Sequence, residues 1–250
     1  CALPIYAFGL KTEKLYEILD LIAYYFPECE GINMDATVTS ILHKSQEELE
    51  MLARKKVKHL YLGIESGLDD VLKFMKKDHD LAQAYQAIDR LHEAGLIYDA
   101  HIMTGVAGKG RGMENAEALA QFLNRTNPAH VVNFSMFLHK EVPLYQDIRQ
   151  GTFVPADELE TIREEYHLIE RIAPEKAGAN ILYDGFHDFI HVRVRGHLPG
   201  DKEKMLAKLN GIIQEYEGKE PVYSFVQGEC PDLEYCDDGK AVWDMDRKTS

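Results

Sequence analysis

The sequence predicts an α/β fold built on a parallel sheet, and three observations carry this prediction. Apolar stretches of strand length alternate with amphipathic segments of about 10–15 residues, the spacing of repeated strand–helix units. Capping signatures precede several of the amphipathic segments, which marks them as helices. Strands that are separated by such helices pair in parallel through right-handed crossovers.

The elements of the first part of the chain follow this rhythm in order. A helix capped by Thr12 has an apolar stripe and ends before Pro27. Capping boxes start two further helices, and Gly95 ends the second of these. The boxes are Ser45-x-x-Glu48 and Asp80-x-x-Gln83. The strands are predicted at Gly31–Val38, Leu60–Ile64, Tyr98–Thr104 and His130–Phe137.

The rhythm changes after Pro143. A helix is predicted to begin at Asp157-x-x-Glu160, and Phe189–Arg195 alternates strictly, as a half-buried strand does. Another amphipathic helix covers Asp201–Tyr216. We therefore predict a parallel α/β part over residues 7–150, an α+β appendage over 151–218, and an irregular acidic tail over 219–250 with Trp243 as an anchor.

Composition excludes several classes of function. The 250 residues carry a formal charge of −14, which argues against nucleic acid or an anionic membrane as the main partner. No apolar run is long enough for a transmembrane helix, and the start does not resemble a signal peptide. The four cysteines are irregularly spaced and do not form a disulfide framework, so we expect a cytoplasmic protein.

One stretch concentrates polar residues at the end of a buried strand. Glu65 and Ser66 follow the apolar run Leu60–Ile64, and after Gly67 a helix opens on Asp69. In parallel α/β folds, ligands bind at the carboxyl ends of strands, so a charged residue there is a candidate site residue. From these residues alone, a solvated Glu65 beside a helix cap is an equally good explanation.

This stretch resembles the radical SAM (S-adenosylmethionine) superfamily, in its oxygen-independent coproporphyrinogen-oxidase-like core. The similarity rests on Gly63–Gly67 and on Met75–His79, and it extends from about Phe8 to Ile148. It implies an incomplete TIM-like (β/α)6 barrel holding roughly its last four strands, with the α+β appendage behind it. It also implies reductive cleavage of SAM to a 5′-deoxyadenosyl radical at a 4Fe-4S cluster.

The resemblance also assigns residues to SAM. Glu65, with Ser66 beside it, takes the place of the residue that accepts hydrogen bonds from the ribose, since a carboxylate can accept from both hydroxyls. Lys77 takes the place of the cation that meets the methionyl carboxylate, with Lys76 as an alternative. The adenine contacts are assigned to a third set: Met103, Gly105, Ser135, Met136 and Phe137. The catalytic residues stay unassigned.

The cluster motif of the family, Cys-x3-Cys-x2-Cys, is absent from the sequence. Cys230 and Cys236 are predicted to be unpaired surface thiols, with a metal or redox role as the alternative, and no metal ligand is assigned. We therefore expect an N-terminally truncated chain whose cluster ligands lie upstream. Cys1–Ile5 resembles a translated sequencing adapter, with a natural short strand as the alternative.

Two other functions stay open at this point. One is a TIM-barrel lyase or aldolase that uses His101, Glu65 and Lys77 as acid–base groups, although a barrel-interior role for His101 is favoured. The other is a non-catalytic interaction domain on a degenerate barrel. The glycine-rich turn Gly105–Gly112, with Lys109 and Arg111, is interpreted as a solvated loop rather than an anion site. For the radical SAM function, the expected partners are SAM, a substrate of unknown identity and an electron donor such as a flavodoxin or ferredoxin.

Overall fold

The computed structural model describes residues 2–3 and 7–225. Its strands form one seven-stranded sheet whose spatial order is the chain order. The neighbours from β1 to β6 are parallel, and β6 and β7 are antiparallel. The strands are β1 (Ala2–Leu3), β2 (Ile32–Ala36), β3 (Val57–Glu65), β4 (Ile97–Thr104), β5 (His130–Ser135), β6 (Ile181–His187) and β7 (Val192–Leu198). The predicted α/β class with a largely parallel sheet is confirmed.

Helices connect the strands, and right-handed crossovers between consecutive neighbours place them on one face of the sheet. The helices are α1 (Thr12–Tyr25), α2 (Val38–Leu42), α3 (Gln46–Arg54), α4 (Asp69–Phe74), α5 (Leu81–Glu93), α6 (Gly112–Thr126), α7 (Leu144–Gln150), α8 (Glu158–Arg171) and α9 (Lys202–Tyr216). The main hydrophobic core lies between this helix layer and the sheet. We call the other side of the sheet the open face; its side chains alternate with the buried ones and are mostly half-buried.

The caps predicted at Ser45, Asp80 and Asp157 are confirmed as helix starts. The cap predicted at Thr12 is wrong, because Thr12 is the first helical residue and Lys11 stands at the cap position. The Ser45 and Asp80 side chains accept from the backbone N–H groups of Glu48 and Gln83, and both reciprocal bonds are present. Asp157 accepts from the N–H of Glu160 at 2.9 Å and begins α8. Each cap satisfies an N–H group that has no partner within the helix.

Three strand predictions are partly wrong. The strand predicted at His130–Phe137 ends at Ser135. The predicted strand Gly31–Val38 ends at Ala36 because a capping box between Thr37 and Ser40 starts α2 at Val38. The predicted strand Phe189–Arg195 is displaced, since Asp188–Ile190 form a 3-10 turn and the strand begins at Val192. The sequence analysis also missed β6.

The sheet continues across the division predicted at residue 150. Strand β5 lies before it, and β6, which lies after it, pairs with β5 in parallel over the register from His130↔Leu182 to Phe134↔Phe186. Near the start of the chain, Ala2 and Leu3 pair with Asn33 and Met34 of β2. The predictions for Cys230, Cys236 and Trp243 fall outside the described residues. No helix within the described ranges is long and apolar enough to cross a membrane.

Candidate functional site

The structure brings together the two charged residues that the sequence analysis selected. Glu65 is the last residue of β3, and Lys77 lies beyond the end of α4. The Lys77 Nζ donates to Glu65 Oε1 at 3.1 Å, and both side chains are about one quarter exposed, 27% and 25%. This pair is therefore held at the carboxyl edge of the sheet and is still accessible to a ligand.

The backbone around Gly63 sets the position of this pair. The β3–β4 register shifts between Gly63 and Glu65, and Glu65 has a left-handed φ of 61°. Such a bulge re-aims the side chain that follows it. A Cβ at Gly63 would lie 2.7 Å from Glu65 Oε1 and 3.3 Å from Lys77 Nζ. The glycine thus leaves the space that the carboxylate and the ammonium group occupy.

Ser66 and Gly105 lie in a buried hydrogen-bond network under this edge. The Ser66 hydroxyl donates to Asn115 Oδ1 at 2.6 Å, and Asn115 Nδ2 donates to Glu164 Oε1 at 2.7 Å. The Gly105 N–H donates to the other Glu164 oxygen at 2.8 Å. Burial raises the pKa of Glu164 to about 8. The network joins the ends of β3 and β4 to α6 and α8, so it fixes the edge on which Glu65 lies.

The residues selected for adenine contacts fall into different environments. Met103 and Met136 are half-buried and pack against Val71, Val106 and Ala107 near the same edge. The Ser135 hydroxyl is buried on the helix side and donates to Glu158 at 3.0 Å. Phe137 lies beyond β5 and is 55% exposed.

The sequence analysis missed a buried charged cluster next to Ser135. His187 at the end of β6 lies between two carboxylates, with Nδ1 2.9 Å from Glu158 Oε2 and Nε2 3.0 Å from Glu165 Oε2. All three side chains are at most 1% exposed. Burial alone would lower the pKa of His187, but the hydrogen bonds to the two carboxylates raise it to about 10. We conclude that His187 is an imidazolium that joins α8 to the sheet.

Further groups complete the hydrogen bonding of these carboxylates. Tyr183 donates to Glu165 at 2.9 Å, and Asn133 donates to the same oxygen at 3.1 Å. Ser224, near the end of the described chain, donates to Glu158. Burial would raise the pKa of Glu158, but the hydrogen bonds from His187, Ser224 and Ser135 hold it below its ordinary value. Because its side chains are buried, this cluster cannot touch a ligand and has a structural role.

The open face carries a row of aromatic rings that the sequence analysis also missed. The rings belong to four neighbouring strands and touch in sequence: Tyr61, His101, Phe134 and Phe186. We call this row the ring strip. Successive residues of a strand point to opposite faces of the sheet, so the sequence shows which residues share a face. Only the position of the helix layer shows which of the two faces stays open.

A second pair of polar residues lies on the open face, towards the amino-terminal ends of the strands. His59 Nδ1 lies 2.8 Å from Asp99 Oδ2, and the Asp99 side chain is 2% exposed. Burial raises the pKa of Asp99, although the hydrogen bond with His59 opposes this change.

The glycine-rich turn lines a cleft and does not form a phosphate-binding loop. The cleft has a volume of about 350 Å³, and its lining includes Lys109, Arg111 and Phe153. The Arg111 guanidinium is paired with Asp70 at 2.8 Å and with Glu114 at 2.9 Å, so its charge is already neutralised. The turn amides at Gly108, Lys109, Gly110 and Arg111 donate to protein oxygens. These contacts favour the interpretation that the turn is not an anion site.

Comparisons with known proteins agree with this geometry. Residues 7–123 match the family model of the Radical SAM superfamily. A tRNA uridine(34) acetyltransferase of Methanocaldococcus infernus is 25% identical over 119 residues, which are 47% of this chain and 22% of that protein. The structure of the archaeal Methanocaldococcus infernus Elp3 with an N-terminal deletion superposes with a TM-score of 0.61 and 15% identity.

The structural match shows the fold, and it covers 85% of this chain and 53% of the other. The chain therefore spans about half of the length of that structure, and a smaller share of the curated relative. The α/β sheet is accordingly that of a partial TIM-like barrel, as the sequence analysis predicted. Over residues 7–123, a little under half of the chain, the sequence is similar to the radical SAM superfamily.

Proposed function

We propose that this chain is the SAM-binding part of a radical SAM enzyme. The observation that carries the proposal is the Glu65–Lys77 pair, with its 3.1 Å contact, at the carboxyl edge of the sheet within the matched residues. Ligands of parallel α/β sheets bind at this edge, where the loops after the strands can surround them.

The residues present fit SAM. The Glu65 carboxylate can accept from two ribose hydroxyls, and the Lys77 ammonium group can bind the methionyl carboxylate as a point charge. The absence of a Cβ at Gly63 leaves the room that both groups occupy at this edge. Met103 and Met136 offer a half-buried apolar surface at the same edge, which suits the flat face of adenine. Ser135 would act through the buried cluster around His187 and Glu158 and not through contact, whereas the exposed Phe137 ring can reach a ligand.

The chain's own residues would bind, orient and shield this cofactor. When bound, SAM and a 4Fe-4S cluster supply a reductive cleavage of SAM that starts radical chemistry on a substrate. Glu65 and Lys77 would fix the two polar ends of SAM, and the network of Ser66, Asn115 and Glu164 would hold the strand ends that carry them. Strict orientation favours one reaction geometry over side reactions.

The residues of this chain do not fit the cluster. A 4Fe-4S cluster that leaves one iron open for SAM needs three thiolates, and the sequence has only the dispersed Cys1, Cys29, Cys230 and Cys236. Within the described residues no group of three potential metal ligands comes together. We therefore propose that the cluster ligands come from sequence outside these 250 residues. We also propose that a flavodoxin or ferredoxin donates the electron and that the protein is cytoplasmic.

Calorimetric titration of SAM into the full-length protein tests the role of the pair. We expect Glu65→Gln to weaken binding by about 1–3 kcal/mol, because it removes charge-assisted hydrogen bonds. Glu17→Gln is the matched control, since Glu17 also pairs with a lysine but is 63% exposed on α1. An unchanged affinity in Glu65→Gln, with the wild-type protein binding SAM, would remove Glu65 from the site. No observation favours the lyase or the interaction-domain alternative.

A further inference from the structure

The ring strip is a continuous aromatic surface across four parallel strands. The centroid distances are 5.6 Å for Tyr61–His101, 6.0 Å for His101–Phe134 and 5.8 Å for Phe134–Phe186. The first and third pairs are stacked, and the middle pair meets edge to face. All four residues are half-buried, so part of each remains available to a ligand.

Polar groups without partners lie along the same surface. In the described parts of the chain, neither ring nitrogen of His101 has a hydrogen-bond partner, and the same holds for the Tyr61 hydroxyl and the Asp35 carboxylate. Asp35 pairs in register with Tyr61 on the next strand. A surface that packed against further apolar core would bury these groups unsatisfied, which is costly. A ligand with its own donors and acceptors fits them better.

The charges around the ring strip restrict the charge that a bound ligand can carry. The carboxylates of Asp35, Glu65 and Asp99 act on His101 through their charge, whereas burial lowers its pKa and favours the neutral imidazole. Two cations lie close to the strip, and both are paired with carboxylates. Arg193 lies over Phe186 and is held by Asp184 at 2.8 and 2.6 Å, and Lys77 donates to Glu65 at 3.1 Å. The strip is therefore anionic and rich in acceptors, and it disfavours a negatively charged ring.

The strip also adjoins the proposed cofactor site. His101 pairs in register with Gly63, and the Cβ position of Gly63 lies 2.7 Å from Glu65 Oε1 and 3.3 Å from Lys77 Nζ. A ring lying on Tyr61 and His101 would thus be a direct neighbour of bound SAM.

From this arrangement, and resting on the proposed function, we propose that the ring strip binds the substrate through a planar, nitrogen-bearing unsaturated ring, neutral or cationic. The ring stacks on Tyr61, His101 and Phe134, and its N–H groups donate to Asp35 and to the acceptor nitrogen of His101. His101 is thereby assigned as a residue that contacts substrate and determines specificity.

Binding of two small probes to the full-length protein tests this proposal. The first probe is 2-aminobenzimidazole, a planar ring with several N–H donors, and the second is indole-2-carboxylate, a planar anion of similar size. We expect the first to bind at least tenfold more tightly, as measured by saturation-transfer NMR. Asp35→Asn should reduce this preference, because it removes the charge that repels the anion.

Variants and competition separate the strip from other sites. His101→Leu and Tyr61→Leu should each weaken 2-aminobenzimidazole at least tenfold, whereas Tyr24→Leu, in an exposed ring pair on α1, should have no effect. Circular dichroism identifies any variant that fails to fold. If one of the two strip variants fails, the binding of 2-aminobenzimidazole to the other variant tests the proposal. Saturating SAM should leave the probe bound.

Several outcomes would overturn the proposal. These are equal binding of the two probes, unchanged binding in the folded strip variants, displacement of the probe by SAM, or a dimer in solution that buries the strip. A protein that binds SAM through Glu65 but does not bind 2-aminobenzimidazole overturns this inference alone and leaves the proposed function standing.

Discussion

Removing the His187 imidazole should destabilise the protein strongly and in a pH-dependent way. In His187→Leu, the carboxylates of Glu158 and Glu165 lose the cation that lies 2.9 and 3.0 Å from them, and at 1% and 0% exposure water cannot replace it. Breaking a buried ion pair by removing one partner costs roughly 3–5 kcal/mol. We expect a loss of that size in the free energy of unfolding at pH 6.5, measured by urea denaturation.

The pH dependence has a defined sign. The pKa of His187 rises from 6.5 to about 10 on folding, so the folded state holds the proton more tightly. Its stabilising contribution is complete below pH 6.5 and is lost as pH rises towards 10, by at most ~1.4 kcal/mol per pH unit. The difference between the wild type and His187→Leu should therefore shrink across this interval.

The matched control is His197→Leu, because His197 is an exposed histidine on β7 of the same sheet. It should change stability by less than ~0.5 kcal/mol. A loss below ~1 kcal/mol in His187→Leu at pH 6.5, or a difference that grows towards pH 10, would refute the assignment of a buried imidazolium.

Two further changes test the geometry of the open face. Gly63→Ala should lower SAM affinity about tenfold with little change in the melting temperature, because the new Cβ would lie 2.7 Å from Glu65 Oε1. Calorimetric titration measures this affinity, and a wild-type value would show that the Glu65 carboxylate can move aside freely. Replacing Arg193 and Arg195 together by Gln should leave turnover and SAM affinity within a few-fold, since both exposed guanidinium groups lie beside Asp184 and balance its charge. A loss of several hundred-fold in turnover with normal SAM binding would instead assign these cations to the substrate.

The strand–helix rhythm and the helix caps were predictable because they depend on local sequence. The capping boxes at Ser45 and Asp80 each lie within four residues, so no tertiary information is needed. The Glu65–Lys77 pair was selected through a family resemblance, and the structure adds their mutual contact. Its use in binding SAM remains a proposal.

The buried cluster and the ring strip could not be predicted for the same physical reason. Strand β6 contains Asp184, Gly185 and His187, which break the apolar pattern of a buried strand. These polar residues are tolerated only because partners distant in sequence, such as Glu158 and Glu165, satisfy them. Likewise, Tyr61 and His101 form a surface only after strands 40 residues apart in sequence pair in register. The pairing register of these strands cannot be derived from a single sequence.

Release of 5′-deoxyadenosine tests the central claim most directly. A longer protein that carries this chain together with the proposed upstream cluster ligands, reconstituted anaerobically with iron and sulfide, should convert SAM to 5′-deoxyadenosine when a reductant is added. Glu65→Ala should reduce this release strongly, whereas the 250-residue chain alone should neither hold a 4Fe-4S cluster nor release the product. The account would be contradicted if the full-length protein bound a cluster and SAM but Glu65→Ala released 5′-deoxyadenosine at the wild-type rate.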